Sequence, residues 1–245
     1  MTILITGGSK GIGRAIAERF AADGDRVLIC YGHDNESAAD AGRAVERAGG
    51  SAELLRVDLS TPAGLDQLIG EVSQLTDRLD QIVHGAVLAH SSSTMALDTE
   101  TFSRALWLNG AILLPMVQAL RPLLDRGSTV FFLSSRGADH AVPNYAAVGA
   151  PKALAESLVR YLAVELAPAG IRALTLVVSA VRTEAVLRVL PDAEERLAAM
   201  AARNPAGRNL DPDDVAAAVY HLASKDLPML TGQRVVLDGG SHLLT

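Results

Sequence analysis

The chain has 245 residues, of which 49% are hydrophobic and 20% are charged, as is typical of a globular protein with a substantial core. Its net charge of -6 at pH 7 gives no reason to expect a nucleic acid or an anionic membrane as a partner. The single cysteine, Cys30, cannot form an internal disulfide, and the first residues lack the segments of a secretory signal, so we expect a cytoplasmic protein.

Apolar runs of strand length alternate with segments of helical periodicity along the whole chain. The predicted strands are Thr2–Thr6, Arg26–Tyr31, Ala52–Val57, Gln81–Val87, Thr129–Ser134, Arg172–Val178 and Arg234–Leu237. The predicted helices are Gly13–Ala22, Glu36–Ala48, Pro62–Leu75, Thr101–Leu124, Tyr145–Leu166 and Pro212–Ala223. Several strands are almost continuously apolar, which is typical of strands buried on both faces. The alternation predicts an α/β protein, with a parallel sheet covered by helices in one domain spanning residues 1–245.

A glycine-rich loop, ITGGSKGIGRAIAERF, follows the first strand. Gly7 permits a tight turn, Gly11 lets a pyrophosphate approach the backbone, and Gly13 lets the helix pack close to the strand. The helix N-terminus then offers free N–H groups to the phosphates. Glycines that serve only as a turn are the alternative, but the position between a first strand and a helix favours a dinucleotide site. The predicted cofactor-binding residues here are Gly7, Ser9, Lys10, Gly11, Ile12 and Gly13.

The end of the second strand bears on the form of the cofactor. An acidic residue there would bind the ribose 2′-hydroxyl and favour NAD, but the sequence has Tyr31, Gly32 and His33. Lys10, if it is more than a solvated loop cation, would hold a 2′-phosphate, so we predict NADPH (NADP+). Asp34 argues against this prediction, since a small shift in register would bring it near the ribose.

The third strand is followed by RVDLS, which contains Asp58 and Leu59. Asp58 is a candidate for contact with the adenine amino group, and Leu59 is a further candidate cofactor contact. An ordinary turn or helix cap is an equally good interpretation of Asp58.

These segments, together with Asn109 in LWLNGAILL, Ser134 and Ser135 in FFLSSRG, and GQRVVLDGG near the end, resemble the short-chain dehydrogenase/reductase superfamily. The resemblance covers residues 3–240. It implies a single Rossmann-type domain with seven parallel strands in the order 3-2-1-4-5-6-7. It also implies hydride transfer from a nicotinamide in a homo-oligomer, a dimer or a tetramer. The further cofactor contacts it implies are Gly85, Ala86, Lys152, Val181 and Thr183.

The chain departs from the superfamily at several positions. The usual Asn-Asn-Ala-Gly after the fourth strand is replaced by residues 84–87, HGAV, and the usual Pro-Gly after the sixth by Val178 and Ser179. The residue four before Lys152, where most members have the catalytic tyrosine, is Val148. His84 is one of several scattered histidines without metal spacing, and we expect a turn or surface histidine.

Tyr145 instead precedes Lys152 by seven residues, a spacing that resembles the NADPH-dependent type III enoyl-acyl-carrier-protein reductases. Residues seven apart share a helix face, and the helical rise places Tyr145 about 4.5 Å farther from the lysine than Val148. This suits an oxygen displaced from the carbon that accepts hydride. Asn144 is the expected helix cap. Pro151 predicts a kink, which leaves a purely structural role for Tyr145 open.

Three further residues are candidates for the chemistry. Lys152 would bind the nicotinamide ribose and lower the pKa of a nearby hydroxyl. Ser135 would donate a hydrogen bond to a substrate oxygen, or else satisfy the backbone at a strand end. The resemblance gives Asn109 its fourth-helix position beside the site. We therefore predict Lys152, Ser135, Tyr145 and Asn109 as the catalytic set, with no metal.

The segment from Ser179 to Asp211 is a long connection without a strand. Loops of that length in a compact domain are usually functional, so we predict a substrate lid at about 179–211. Only 4% of the residues are aromatic, which indicates an aliphatic cleft for a bulky, largely apolar small molecule.

Three functions are compatible with the sequence. The one that the sequence favours is an NADPH-dependent ketoreductase, because the missing tyrosine resembles the atypical ketoreductases of aromatic polyketide antibiotic pathways. That resemblance implies a ketone beside a phenol that itself supplies the proton. The second is an enoyl-acyl-carrier-protein reductase that uses Tyr145 and Lys152. The third is a sensor that binds NADP without turnover, although Lys152 and Asn109 argue against it.

Overall fold

Seven parallel strands form one sheet in the order β3-β2-β1-β4-β5-β6-β7, as predicted. The computed structural model describes residues 1–179, 181–189 and 192–244. The strands are β1 (Thr2–Thr6), β2 (Arg26–Tyr31), β3 (Ser51–Arg56), β4 (Leu79–His84), β5 (Leu124–Ser135), β6 (Arg172–Val178) and β7 (Arg234–Leu237). The α-helices are α1 (Gly11–Ala21), α2 (Asn35–Ala48), α3 (Pro62–Leu75), α4 (Thr99–Leu106), α5 (Leu113–Leu120), α6 (Ala146–Leu166), α7 (Glu184–Val189), α8 (Ala193–Arg203) and α9 (Pro212–Leu222).

The two faces of the sheet carry separate apolar cores. Along β1, Ile3 and Ile5 point to one core and Leu4 to the other, because successive strand residues face opposite sides. Helices α3, α5 and α6 cover the face of Leu4. Helices α1, α2 and α9 cover the face of Ile3 and Ile5. The apolar runs of the strands thus follow from burial on both sides.

The order of the strands reverses next to β1, which lies between β2 and β4. In open parallel sheets a crevice forms outside the carboxyl ends of the strands at such a point. The loops that follow β1 and β4 border this crevice, and so do those that follow β5 and β6.

The single helix predicted for residues 101–124 is wrong. A π-helical turn, Trp107–Ala111, separates α4 from α5. At this turn a Cβ on Gly110 would lie 2.3 Å from the carbonyl oxygen of Pro151, so only glycine fits against α6. Strand β5 begins at Leu124 rather than Thr129, because the polar residues after Leu124 continue the strand.

Helix α6 begins at Ala146, and Tyr145 is its N-cap. The prediction that Asn144 caps this helix is wrong: Asn144 has φ +61° and lies in a left-handed turn before the cap. The helix runs continuously through Pro151. Pro151 has no N–H for the carbonyl oxygen of Ala147, and the Asn109 side chain donates a hydrogen bond to that oxygen instead, at 3.0 Å.

The connection at 179–211 contains two helices, α7 and α8, where a loop was expected. A short parallel bridge between Val181 and Leu210 ties its two ends together. Residues 180, 190 and 191 of the predicted lid lie outside the described residues. Among the helices of the described part, none is both long enough and apolar enough to cross a membrane.

Candidate active site

A cavity of about 380 Å³ opens at the carboxyl ends of β1, β4, β5 and β6. It is lined by these members of the predicted cofactor and catalytic sets: Gly7, Lys10, Gly11, Ile12, Gly13, Gly85, Ala86, Ser135, Tyr145, Lys152, Val181 and Thr183. Ser9, Tyr31, Gly32, His33, Asp58, Leu59 and Asn109 are predicted residues outside its described lining.

The glycine loop is shaped for close approach at two positions. Gly7 has φ +73°, and a Cβ there would lie 2.9 Å from the backbone of Ala86. A Cβ on Gly13 would lie 2.2 Å from the carbonyl oxygen of Gly7. The N-cap of α1, Lys10, makes no side-chain capping hydrogen bond, so the first backbone N–H groups remain available to an anion in the cavity.

Lys10 forms two ion pairs across the mouth of the cleft. Its Nζ lies 2.6 Å from a carboxylate oxygen of Asp34 and 2.6 Å from one of Glu184. The hydrogen bond from Lys10 holds the pKa of Asp34 at about 2, and the hydrogen bonds from Ser37 to Asp34 assist. These two hydrogen-bonded partners, Asp34 first, raise the pKa of Lys10. The lysine predicted to bind a 2′-phosphate is therefore paired with two carboxylates.

The other predicted adenosine contacts cluster beyond β2 and β3. The Tyr31 hydroxyl donates a hydrogen bond to the Asn35 side chain at 3.2 Å. An oxygen of Asp58 accepts a hydrogen bond from the backbone N–H of Ser60 at 2.9 Å, as a turn cap does. That bond is the main reason that the pKa of Asp58 is lowered. The carbonyl oxygen of Leu59 accepts from the Trp107 indole at 3.0 Å.

Lys152 is buried and lines the cavity. The ammonium donates a hydrogen bond to the carbonyl oxygen of Leu133 at 2.6 Å and lies 4.5 Å from the centroid of the Phe132 ring. Burial lowers the pKa of Lys152 to about 7, and the nearby Glu156 carboxylate opposes this fall. A lysine has three donors, so Lys152 keeps donors for a ligand in the cavity.

Tyr145 and Ser135 line the cavity side by side. Burial raises the pKa of the Tyr145 hydroxyl, and the interaction with Ser135 opposes the rise. The two hydroxyls do not form a hydrogen bond of good geometry: Ser135 Oγ is buried and has no hydrogen-bond partner among the described residues. Both side chains line the cavity, and the Ser135 hydroxyl is a donor that no described group satisfies. Val148 lines the same wall and offers no donor.

Two buried polar residues, His84 and Asn109, lie outside the described cavity lining. His84 is fully buried on β4, so the expectation of a turn or surface histidine is wrong. Its Nε2 lies 3.0 Å from the carbonyl oxygen of Leu108 and its Nδ1 2.8 Å from the Thr6 hydroxyl. Asn109 is also fully buried. Besides its bond to Ala147, its side chain accepts from the Leu88 N–H at 2.7 Å and donates to the Leu88 carbonyl oxygen at 3.1 Å.

Several lining residues were not predicted from the sequence, among them Gly137, Val142 and Met200. Gly137 supports the Tyr145 ring, since a Cβ on it would lie 2.5 Å from a ring carbon. Val142 precedes α6, and Met200 on α8 brings the predicted lid into the wall. No motif marks these positions, although helical periodicity in 193–203 would have indicated α8.

The chain matches one family along almost its whole length. Residues 7–242 match the family described as "Enoyl-(Acyl carrier protein) reductase". A relative in Streptomyces collinus, 1-cyclohexenylcarbonyl-CoA reductase, is 31% identical over 98% of this chain and 86% of its own. The NADH-dependent enoyl-[acyl-carrier-protein] reductase FabI of Escherichia coli K12 is 30% identical over 97% of this chain and 92% of its own.

A solved structure extends the comparison. The angucycline C-6 ketoreductase LanV with bound NADP superposes with a TM-score of 0.90 at 26% identity, covering 99% of this chain and 95% of that one. The sheet order, the glycine loop and the extent of these matches all indicate the same family. The chain belongs to the "Enoyl-(Acyl carrier protein) reductase" family of short-chain dehydrogenase/reductase oxidoreductases.

Proposed function

We propose that the protein is an NADPH-dependent reductase of α,β-unsaturated thioesters, with Tyr145 and Ser135 as hydrogen-bond donors to the thioester oxygen. The observation that supports the proposal is that Tyr145 lines the same cavity as Lys152 and Ser135. The sequence favoured a ketone as substrate because Val148 occupies the usual tyrosine position. The position of Tyr145 in the cavity shifts the balance to the enoyl alternative.

The cavity fits a dinucleotide. Side chains on Gly7 and Gly13 would collide with backbone atoms, and the open N-terminus of α1 suits a pyrophosphate. Lys152 has donors for a ribose. The reduced nicotinamide would supply the hydride. The phosphate form is supported by Lys10, by the lack of an acid at residues 31–33, and by the NADP bound in LanV.

The chain's own residues account for the proton. In an enoyl thioester the hydride goes to the β-carbon, and negative charge develops on the thioester oxygen several bonds away. Tyr145 lies three residues before Val148, about 4.5 Å along the axis of an ideal helix, so a donor there is displaced from the position that serves an oxygen on the reacting carbon itself. Its raised pKa keeps the hydroxyl protonated at neutral pH, so it is able to give its proton to the developing enolate. The resulting enol tautomerises to the saturated thioester, and the tyrosinate takes a proton back from water. The Lys152 ammonium favours negative charge nearby.

The second candidate is a ketoreductase acting on an aromatic polyketide, with a phenol of the substrate as proton source. Two observations favour it. Val148 replaces the usual donor beside Lys152, and the angucycline ketoreductase LanV has the same fold along the whole chain.

The test compares NADPH oxidation with an enoyl-CoA and with a phenolic polycyclic ketone. For the enoyl-CoA we expect Tyr145→Phe to lower kcat by about 100-fold or more, as is usual on loss of a proton donor. Tyr161→Phe is the matched control, because Tyr161 is 68% exposed on the same helix, and it should leave kcat unchanged.

The outcomes separate the candidate functions. Turnover of the ketone alone, with Tyr145→Phe and Ser135→Ala both active, would replace the proposal with the ketoreductase. Binding of NADPH without oxidation on any substrate would favour the sensor. Lack of affinity for either nicotinamide coenzyme would remove all three.

A further inference from the structure

A buried carboxylate lies behind the cavity, one helical turn after Lys152. The Glu156 side chain is only 9% exposed. Its Oε1 accepts a hydrogen bond from the Ser134 hydroxyl on β5 at 2.5 Å. Its Oε2 accepts from Arg234 Nε on β7 at 3.0 Å. Both carboxylate oxygens are therefore held, and the charge has a fixed position in the fold.

The outer side of this cluster reaches the surface. Arg234 also lies 2.6 Å from a carboxylate oxygen of Asp139, and the other oxygen of Asp139 lies 2.7 Å from His140. Arg234 is one-third exposed. A chain of alternating charges thus connects solvent with the buried carboxylate.

Glu156 is the carboxylate whose charge raises the pKa of Lys152. Burial lowers the pKa of the lysine, and Glu156 opposes the fall. Burial keeps His84, which faces the ammonium from β4, neutral. Tyr145, at the N-cap of α6, is a neutral phenol because burial raises its pKa. Arg234, on β7, is a cation paired with Glu156, and a positive charge at that position disfavours a charged lysine. The Coulomb interaction is strong in this buried region because little water screens it.

We propose that Glu156 is a positioning residue for reduction: held by Ser134 and Arg234, it keeps Lys152 charged within the cavity. Arg234 tunes the effect, since its charge offsets part of the carboxylate's. The proposal rests on the proposed function only in assigning Lys152 to a reductase. The charge state of the lysine is measurable without any substrate.

The chain has three lysines, Lys10, Lys152 and Lys225, so the experiment is an NMR titration with lysine labelled with ¹³C at Cε. Lys10→Arg and Lys225→Arg assign the signals. We expect Glu156→Gln to lower the titration midpoint of Lys152 by about one pH unit, because the amide keeps the shape and loses the charge. Glu165→Gln, an exposed acid on α6, is the control and should leave the midpoint in place.

A second variant moves the midpoint in the other direction. Arg234→Gln removes the opposing cation, so the midpoint should rise; a purely structural role would not give shifts of opposite sign. An unchanged midpoint in folded Glu156→Gln overturns the proposal. If that variant does not fold, the midpoint in Arg234→Gln decides, and an unchanged value there also overturns it.

The same variants connect the charge to turnover. With a substrate that is reduced, the alkaline limb of kcat against pH should move with the Lys152 midpoint, down in Glu156→Gln and up in Arg234→Gln. A kcat limb that stays while the midpoint moves overturns the catalytic part of the inference. Failure of all substrates would overturn the proposed function, and the titration would still stand as a test of Glu156.

Discussion

The buried imidazole of His84 makes the protein sensitive to acid, and His84→Gln should remove that sensitivity. The Leu108 carbonyl can only accept a hydrogen bond, so His84 Nε2 carries the proton and Nδ1 accepts from Thr6. The ring is therefore neutral. Burial first, and then the charge of Lys152, lowers the pKa of His84 to about 3. Glutamine keeps a donor for Leu108 and does not titrate.

The magnitude follows from linkage. The unfolded chain takes up a proton at this histidine below pH 6.5, whereas the native state takes it up only near pH 3. Stability is thus fully present above pH 6.5 and is lost progressively as the pH falls towards 3. Each pH unit in this window costs about 1.4 kcal/mol. At pH 5 the loss is about 2 kcal/mol, a large share of the roughly 5–15 kcal/mol of a typical domain.

The assay is urea unfolding followed by circular dichroism at pH 7 and pH 5. The free energy of unfolding of the unmodified protein should fall by about 2 kcal/mol more between the two pH values than that of His84→Gln. His140→Gln is the matched control, because His140 is exposed, and it should behave as the unmodified protein does. The same pH dependence in His84→Gln and in the unmodified protein would refute the assignment of a neutral buried ring.

Two further changes probe the cofactor end and the helix joint. Asp34→Asn keeps the cap of α2 and removes one of the two carboxylates paired with Lys10, so kcat/KM for NADPH relative to NADH should rise roughly fivefold. Asp40→Asn, in a separate exposed ion pair on α2, is the control, and an unchanged ratio would remove Lys10 from cofactor selection. Asn109→Ala leaves the Ala147 carbonyl without a donor and should cost about 3 kcal/mol in urea unfolding. Adding Pro151→Ala supplies the missing N–H, so the double variant should lose less than the sum of the two single losses, and strict additivity would contradict the exchange of donors.

Much of the fold could be predicted, because burial on both faces leaves a direct mark on the strands. The predicted strands β1, β2, β6 and β7 have the observed bounds, and β3 and β4 differ by one to three residues. The start of β5 was missed because the polar residues after Leu124 do not form a strand pattern. Leu124 pairs with Leu79 and Thr129 pairs with Gln81, so the register between β4 and β5 is irregular there. The glycine loop could be located because its spacing carries a steric requirement.

The parts that were missed depend on contacts between distant segments. The π turn at Trp107–Ala111 lies within a continuous apolar run, and the reason for it, the approach of Gly110 to Pro151, is tertiary. The burial of His84 was missed because histidine occurs both in cores and at surfaces, so the residue type alone does not predict its exposure. Glu156 lies at helical spacing from Lys152, which could have suggested a pair, but Ser134 and Arg234 meet it only in three dimensions.

Helix α6 lacks one backbone hydrogen bond between the two groups that the proposed chemistry needs. Tyr145 lies before Pro151 and Lys152 lies after it. The Ala147 carbonyl oxygen, which Pro151 cannot serve, accepts its hydrogen bond from the side chain of Asn109. The register of the phenol against the ammonium is therefore set from outside the helix, by a segment almost forty positions earlier. Substitutions around Asn109 can retune the spacing of the pair while every atom that meets a substrate stays the same. Substrate preference in this fold is therefore open to change by substitutions at residues that do not line the cavity.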